Sequence, residues 1–154
     1  MPQRSIASHQ ICICAPLAQC HRFFTPAGEA LWVEGWQPDY KVPPDGRTEP
    51  GMVFTTGAGE DFTIWTLVDF DTQACYSRYA RVTPALRAGF VEVRCSAVND
   101  QTTLVDVSYT LTALTPAGER SLEAFEGAAF VAMIEGWQEA VQAQLPKLLA
   151  ADIR

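Results

Sequence analysis

The chain reads as a single α+β domain over residues 1–154, in which a curved antiparallel sheet of about six to seven strands wraps around a long C-terminal helix. Three observations predict it. Strand-like segments follow one another between residues 52 and 114, separated by turn signals and with no helical period among them, so they pair as an antiparallel meander. From Leu122 to Leu148 the apolar residues recur at steps of three and four instead of two. A length of 154 residues suits one hydrophobic core, and no repeat, low-complexity tract or linker divides it.

The first element is a strand over 5–15, where β-branched residues and the run Cys12-Ile13-Cys14 precede Pro16. Two short helices over 16–24 and 26–34 carry Pro at their first turns. Thr25 is placed to cap the second, with Glu29 near the capping-box position. Between Trp36 and Gly51 the density of Pro, Gly and Asp marks a long loop without periodicity. The strands follow as Met52–Thr56, Asp61–Asp69, Ala74–Val82, Ala88–Val98 and Thr102–Leu114. In the last two, Val91, Val93, Cys95 and Val105, Val107, Tyr109, Leu111 alternate with polar residues, giving one dry face and one wet face. The segment 61–69 reads as two-sided, with Phe62, Ile64, Val68 and Phe70 against Trp65 and Leu67. That leaves Trp65 and Leu67 available for a homodimer contact; monomer and homodimer both stay open. Thr115-Pro116-Ala117-Gly118 breaks the last strand, and 119–149 reads as one amphipathic helix whose end Pro146 kinks or frays.

Composition narrows the function classes. A hydrophobic fraction of 48% against 19% charged residues belongs to a globular protein, and no apolar run approaches the roughly 20 residues needed to span a bilayer. The N-terminus lacks the apolar core of a secretory signal, so the cytoplasm is the expected location. A net charge of −7 with scattered Lys and Arg disfavours nucleic acid as a partner. The five cysteines read as reduced thiols packed as small hydrophobes. His9, Cys12, Cys14, Cys20 and His21 crowd the N-terminal region, but their spacing does not build a zinc site, and no metal or cofactor is expected. Phosphate loops, nucleophile elbows and kinase signatures are missing from the sequence.

Several stretches carry a family resemblance: Ala15-Pro16-Leu17, Phe23-Phe24-Thr25-Pro26-Ala27-Gly28-Glu29, Trp32-Val33-Glu34-Gly35-Trp36, the run from Thr63 to Asp71, Tyr79-Ala80-Arg81-Val82-Thr83-Pro84, and Leu111 through Glu119. Together with the element order they resemble the helix-grip fold of the START and birch-pollen-allergen-like superfamily, in its polyketide cyclase/dehydrase-like branch. The resemblance implies a cavity between the concave sheet and the long helix that holds a small apolar molecule, lipid- or polyketide-like. Other members imply alternatives, a cyclase or dehydratase and a chaperone-activator-like interaction module. The superfamily shares no catalytic motif, so the resemblance brings a scaffold and no chemistry.

On that scaffold the expected ligand-binding residues are Trp32, Trp36, Trp65, Tyr79, Arg81, Phe90, Tyr109, Phe125, Ala129 and Met133. The aromatics join large apolar surfaces to single polar tips, which suits a pocket that holds an apolar body and fixes one polar group. Arg78 and Arg81 fall on opposite faces of one strand, so one of them is set to project inward toward a ligand carboxylate. Any acid–base chemistry would need an inward titratable group, for which Tyr79, Tyr109 and Arg81 are the first candidates. Asp69, Glu92, Arg94 and Asp106 fall on the wet face as solvated charges.

Overall fold

The computed structural model describes residues 3–154. Strand β1 (Arg4–Ile13) is followed by helices α1 (Leu17–Phe23) and α2 (Pro26–Glu29), then by strands β2 (Asp39–Val42), β3 (Val53–Thr56), β4 (Thr63–Asp71), β5 (Tyr76–Thr83), β6 (Arg87–Asn99) and β7 (Thr102–Ala113). The chain ends in helices α3 (Pro116–Ser121), α4 (Gly127–Ala143) and α5 (Leu145–Ala150), with 3-10 turns at Gly59–Asp61 and Leu122–Phe125. The seven strands form one antiparallel sheet in the order β1-β7-β6-β5-β4-β3-β2, so the first strand closes beside the last in a register running from Arg4↔Thr112 to Ile13↔Thr103. No described helix is long and apolar enough to cross a membrane.

Strict alternation builds the floor of the core. Along β7 every second residue from Thr103 to Ala113 is buried, and Val91, Val93 and Cys95 of β6 join the same face. Helix α4 lies against it through Phe130, Ile134 and Val141. The helix also covers the outer edge of β1. Backbone N–H groups of Cys12 and Cys14 donate to the side chains of Gln138 and Gln142, each at 2.9 Å, and His9 Nε2 lies 3.2 Å from Glu135. Residues 135, 138 and 142 share one face of the helix at steps of three and four. They cap amide groups that an open edge would otherwise offer to another chain. Cys12 and Cys14 are exposed there, not buried as the sequence suggests, whereas Cys20, Cys75 and Cys95 are buried thiols.

The structure differs from the sequence reading in three further places. The expected loop over 36–51 contains β2, a short edge strand recognisable only by its pairing with β3. Its one partly buried side chain, Tyr40, packs on Phe54, so a four-residue segment shows no alternation. The C-terminal helix does not run unbroken from 119 to 149. A 3-10 turn and Gly127 at φ +51° separate α3 from α4, and Gln144 with Pro146 in the next first turn separates α4 from α5. Finally, β4 carries a register shift between Leu67 and Asp69. The extra residue flips the alternation. Trp65 and Leu67 point into the core, Ile64 and Val68 point out, and Phe70 turns back inward to stack on His21 at 5.1 Å. Trp65 and Leu67 are therefore core residues and offer no dimer contact.

Candidate functional site

A cavity of about 300 Å³ opens between the concave face of β3–β7, the segment following α2, and α4. Its walls are aromatic. Trp36, Phe54 and Trp65 stand in mutual contact at 5.7–6.0 Å between ring centroids, with Phe54 and Trp65 stacked. Tyr79 meets Trp65 edge-on at 6.2 Å. On the other side Trp137 of α4 touches Trp32 at 5.7 Å and Tyr109 at 6.3 Å. Most polar tips of these rings are already bonded: Trp32 Nε1 donates to Phe23 O at 2.7 Å, Trp36 Nε1 to Pro26 O at 3.0 Å, Trp65 Nε1 to Thr56 Oγ1 at 2.9 Å, and the Tyr79 hydroxyl to Phe24 O at 3.2 Å. The rings are thus fixed in orientation and present apolar faces to the space between them.

The local sequence explains how the site is assembled. Thr25 caps α2 by accepting from Gly28 N at 3.1 Å, and the chain continues beyond Glu29 in helical turns, with Val33 N bonded to Glu29 O at 2.8 Å. Glu29, Trp32, Val33 and Trp36 consequently share one face, and that face lines the cavity. Glu29 does not complete a capping box. It follows the capping position by four residues, one too many, and its carboxyl is directed to the cavity instead. Part of Glu29 still meets solvent, yet its carboxyl is crowded by protein, and desolvation pushes its pKa up to about 8. At neutral pH it is largely an acid, and so a donor.

The cavity also holds two cations. Arg81 of β5 and Arg87 of β6 line the cavity, each only 9% exposed. The Arg81 guanidinium lies over Trp65 at 4.7 Å and over Phe125 at 5.6 Å, and that of Arg87 over the same Phe125 ring at 4.6 Å. Burial lowers the pKa of both; the Arg81 cation lowers that of Arg87 further, while the Tyr109 hydroxyl opposes the shift at Arg81. Burial raises the Tyr109 hydroxyl to about 12, with Arg81 opposing that rise and Glu29 adding to it. Gly89 lies opposite Arg81 in the β5–β6 register, and its backbone is so close to β7 that a Cβ would fall 1.8 Å from Thr110 O.

Of the residues expected from sequence, Trp32, Trp36, Trp65, Tyr79, Arg81 and Tyr109 are gathered around the cavity. Phe125 packs behind them, stacked on Tyr109 at 5.8 Å. Phe90 is on the outer face of the sheet, under the Arg78 guanidinium at 3.9 Å, because it is one residue out of phase with Val91. Ala129 is exposed on α4, and Met133 is half-buried against the core without reaching the cavity wall. Arg78 points outward beside Glu92, which also accepts a short hydrogen bond from Tyr76. Glu29, Asp61 and Arg87 line the cavity and are not among the residues expected from sequence. The signal for two of them is present: the 29-32-33-36 spacing, and the parity that Arg87 shares with Val91 and Val93. Among the described residues no group of three His, Cys, Asp or Glu side chains is arranged to hold a metal ion.

No protein-family model matches the chain, and no curated protein matches it. Solved structures do. The norcoclaurine synthase of Thalictrum flavum, in complex with dopamine and hydroxybenzaldehyde, is 8% identical with a TM-score of 0.66, covering 95% of this chain and 88% of that one. Major latex-like protein 151 of Panax ginseng is 14% identical with a TM-score of 0.65, covering 93% and 99%. A protein of Thermobifida fusca is 17% identical with a TM-score of 0.59, covering 93% and 89%. At these identities the likeness speaks for the fold alone, and it agrees with the strand order and the C-terminal helix described above. The chain has the helix-grip fold, shared with these solved structures.

Proposed function

We propose that this protein binds a small hydrophobic or amphipathic molecule in the cavity between its sheet and α4. The observation that carries the reading is a space of about 300 Å³ walled by fixed aromatic rings that belong to the hydrophobic core. A cavity of roughly 150 Å³ lined by apolar side chains accepts benzene, so twice that space suits a compact molecule of about two rings better than a long acyl chain. The solved complex of norcoclaurine synthase holds aromatic molecules on the same fold, which supports a ring-bearing ligand here. Native mass spectrometry of freshly purified protein is expected to show an added mass that disappears on denaturation. A clean apo spectrum, together with no thermal stabilisation by two-ring probes, would overturn the reading.

One observation favours a second reading, a cyclase- or dehydratase-like enzyme. A carboxylic acid with a pKa of about 8 in an aromatic cavity is suited to donate a proton to a bound carbonyl or hydroxyl and to take it back. In that role Glu29 is the acid, with Tyr109 beside it as a second hydroxyl donor. The interaction-module alternative finds no comparable support.

A further inference from the structure

We infer that the ligand carries a carboxylate, and that Arg81 and Arg87 form the subsite that receives it. The inference rests on the ligand-binding reading above and extends it to the chemical class of the ligand. Its basis is a pair of buried cations with no counter-ion. Among the described residues neither arginine belongs to an ion pair, and the Nε of each is buried with no hydrogen-bond partner. Arg81 has no partner closer in kind than the Tyr109 hydroxyl and the faces of Trp65 and Phe125. Arg87 donates through Nη1 to Ser121 Oγ at 2.9 Å, which leaves most of its donors unused.

A buried guanidinium without a carboxylate is costly, and two that share one aromatic ring repel each other as well. The neighbouring acids relieve this only in part. Asp61, the carboxylate that acts on Arg87, is exposed at the cavity mouth and forms no ion pair with it. Glu29 forms no ion pair with either arginine among the described residues and is largely uncharged at neutral pH. The fold nevertheless brings the two cations together. Arg81 and Arg87 come from paired strands, both line the cavity, and both guanidinium groups lie over the Phe125 ring. Planar guanidinium donors facing an aromatic-walled space match a carboxylate attached to a ring system, which would neutralise the pair while its rings lie against Trp65 and Trp36. Glu29, a donor in the same lining, then suits a carbonyl or hydroxyl on the same molecule.

The test compares two probes of equal size and different charge, 2-naphthoate and 2-naphthalenemethanol, titrated into the intact protein at pH 7 and followed by calorimetry. The inference expects naphthoate to bind at least about tenfold more tightly than the alcohol. It also expects Arg81→Gln and Arg87→Gln to bring the ratio of the two affinities toward one. Equal binding of both probes to the wild-type protein would overturn the carboxylate subsite and leave the apolar cavity standing. Binding of neither would overturn both. The wild-type comparison decides even if an arginine variant does not fold.

Discussion

At the residue scale, Glu29 and His21 are the groups whose burial links protonation to stability. His21 is buried against Phe70 and bonded to Ser77 Oγ at 2.9 Å, and desolvation lowers its pKa from 6.5 to about 4. The folded state therefore holds fewer protons than the unfolded chain between those values, and stability falls as pH drops through them. Glu29 acts in the opposite sense. Its pKa rises from 4.5 to about 8, so the folded state holds more protons in that range, and stability falls as pH rises through it. Between 4.5 and 6.5 the two slopes oppose each other. Between 6.5 and 8 only that of Glu29 remains, with an upper limit of about 1.4 kcal/mol per pH unit. The Glu29→Gln variant should therefore be more stable than the wild type at pH 8, with the difference shrinking toward zero near pH 4.5. Urea denaturation across that range measures it, and a pH-independent difference would contradict the burial of an ionisable Glu29.

At the element scale, two glycines of α4 test how the C-terminal region is broken. Gly127 opens the helix at φ +51°, and a Cβ added there would meet no atom within 4 Å, so its replacement meets backbone strain alone. Gly136 lies inside the helix with equally open surroundings and ordinary helical backbone. The same substitution should have opposite signs at the two sites: Gly127→Ala costs roughly 1–2 kcal/mol, and Gly136→Ala gains about 1 kcal/mol. Thermal unfolding distinguishes them, and two stabilising variants would mean that the turn before α4 is not left-handed. The break itself is hidden in the sequence because Leu122 and Phe125 keep the helical spacing of the residues that follow. Periodicity records which side is apolar, and a 3-10 turn followed by a glycine preserves the side while interrupting the helix. The bulge in β4 misleads for a related reason. Alternation carried through Val68 as if the register were continuous puts Phe70 on the wrong face.

At the scale of the whole molecule, the strands and their antiparallel order are legible because β6 and β7 alternate and the turns between strands are short. Strand β2 is not, since four residues at a sheet edge bury almost nothing. The aromatic half of the cavity is legible from the same periodicities that build the core. Its charged half is less so, because a lone Glu or Arg in phase with apolar neighbours looks like a surface residue until the cavity gives it somewhere to point. The most direct test of the cavity as the binding site is a calorimetric titration of 2-naphthalenemethanol into the wild-type protein and into Val33→Trp, which places a large ring at the half-buried lining position beside Trp32 and Trp36. One-to-one saturable binding to the wild type that is lost in a folded Val33→Trp variant is the expected result. Undiminished binding to the filled variant would place the ligand elsewhere and contradict the account.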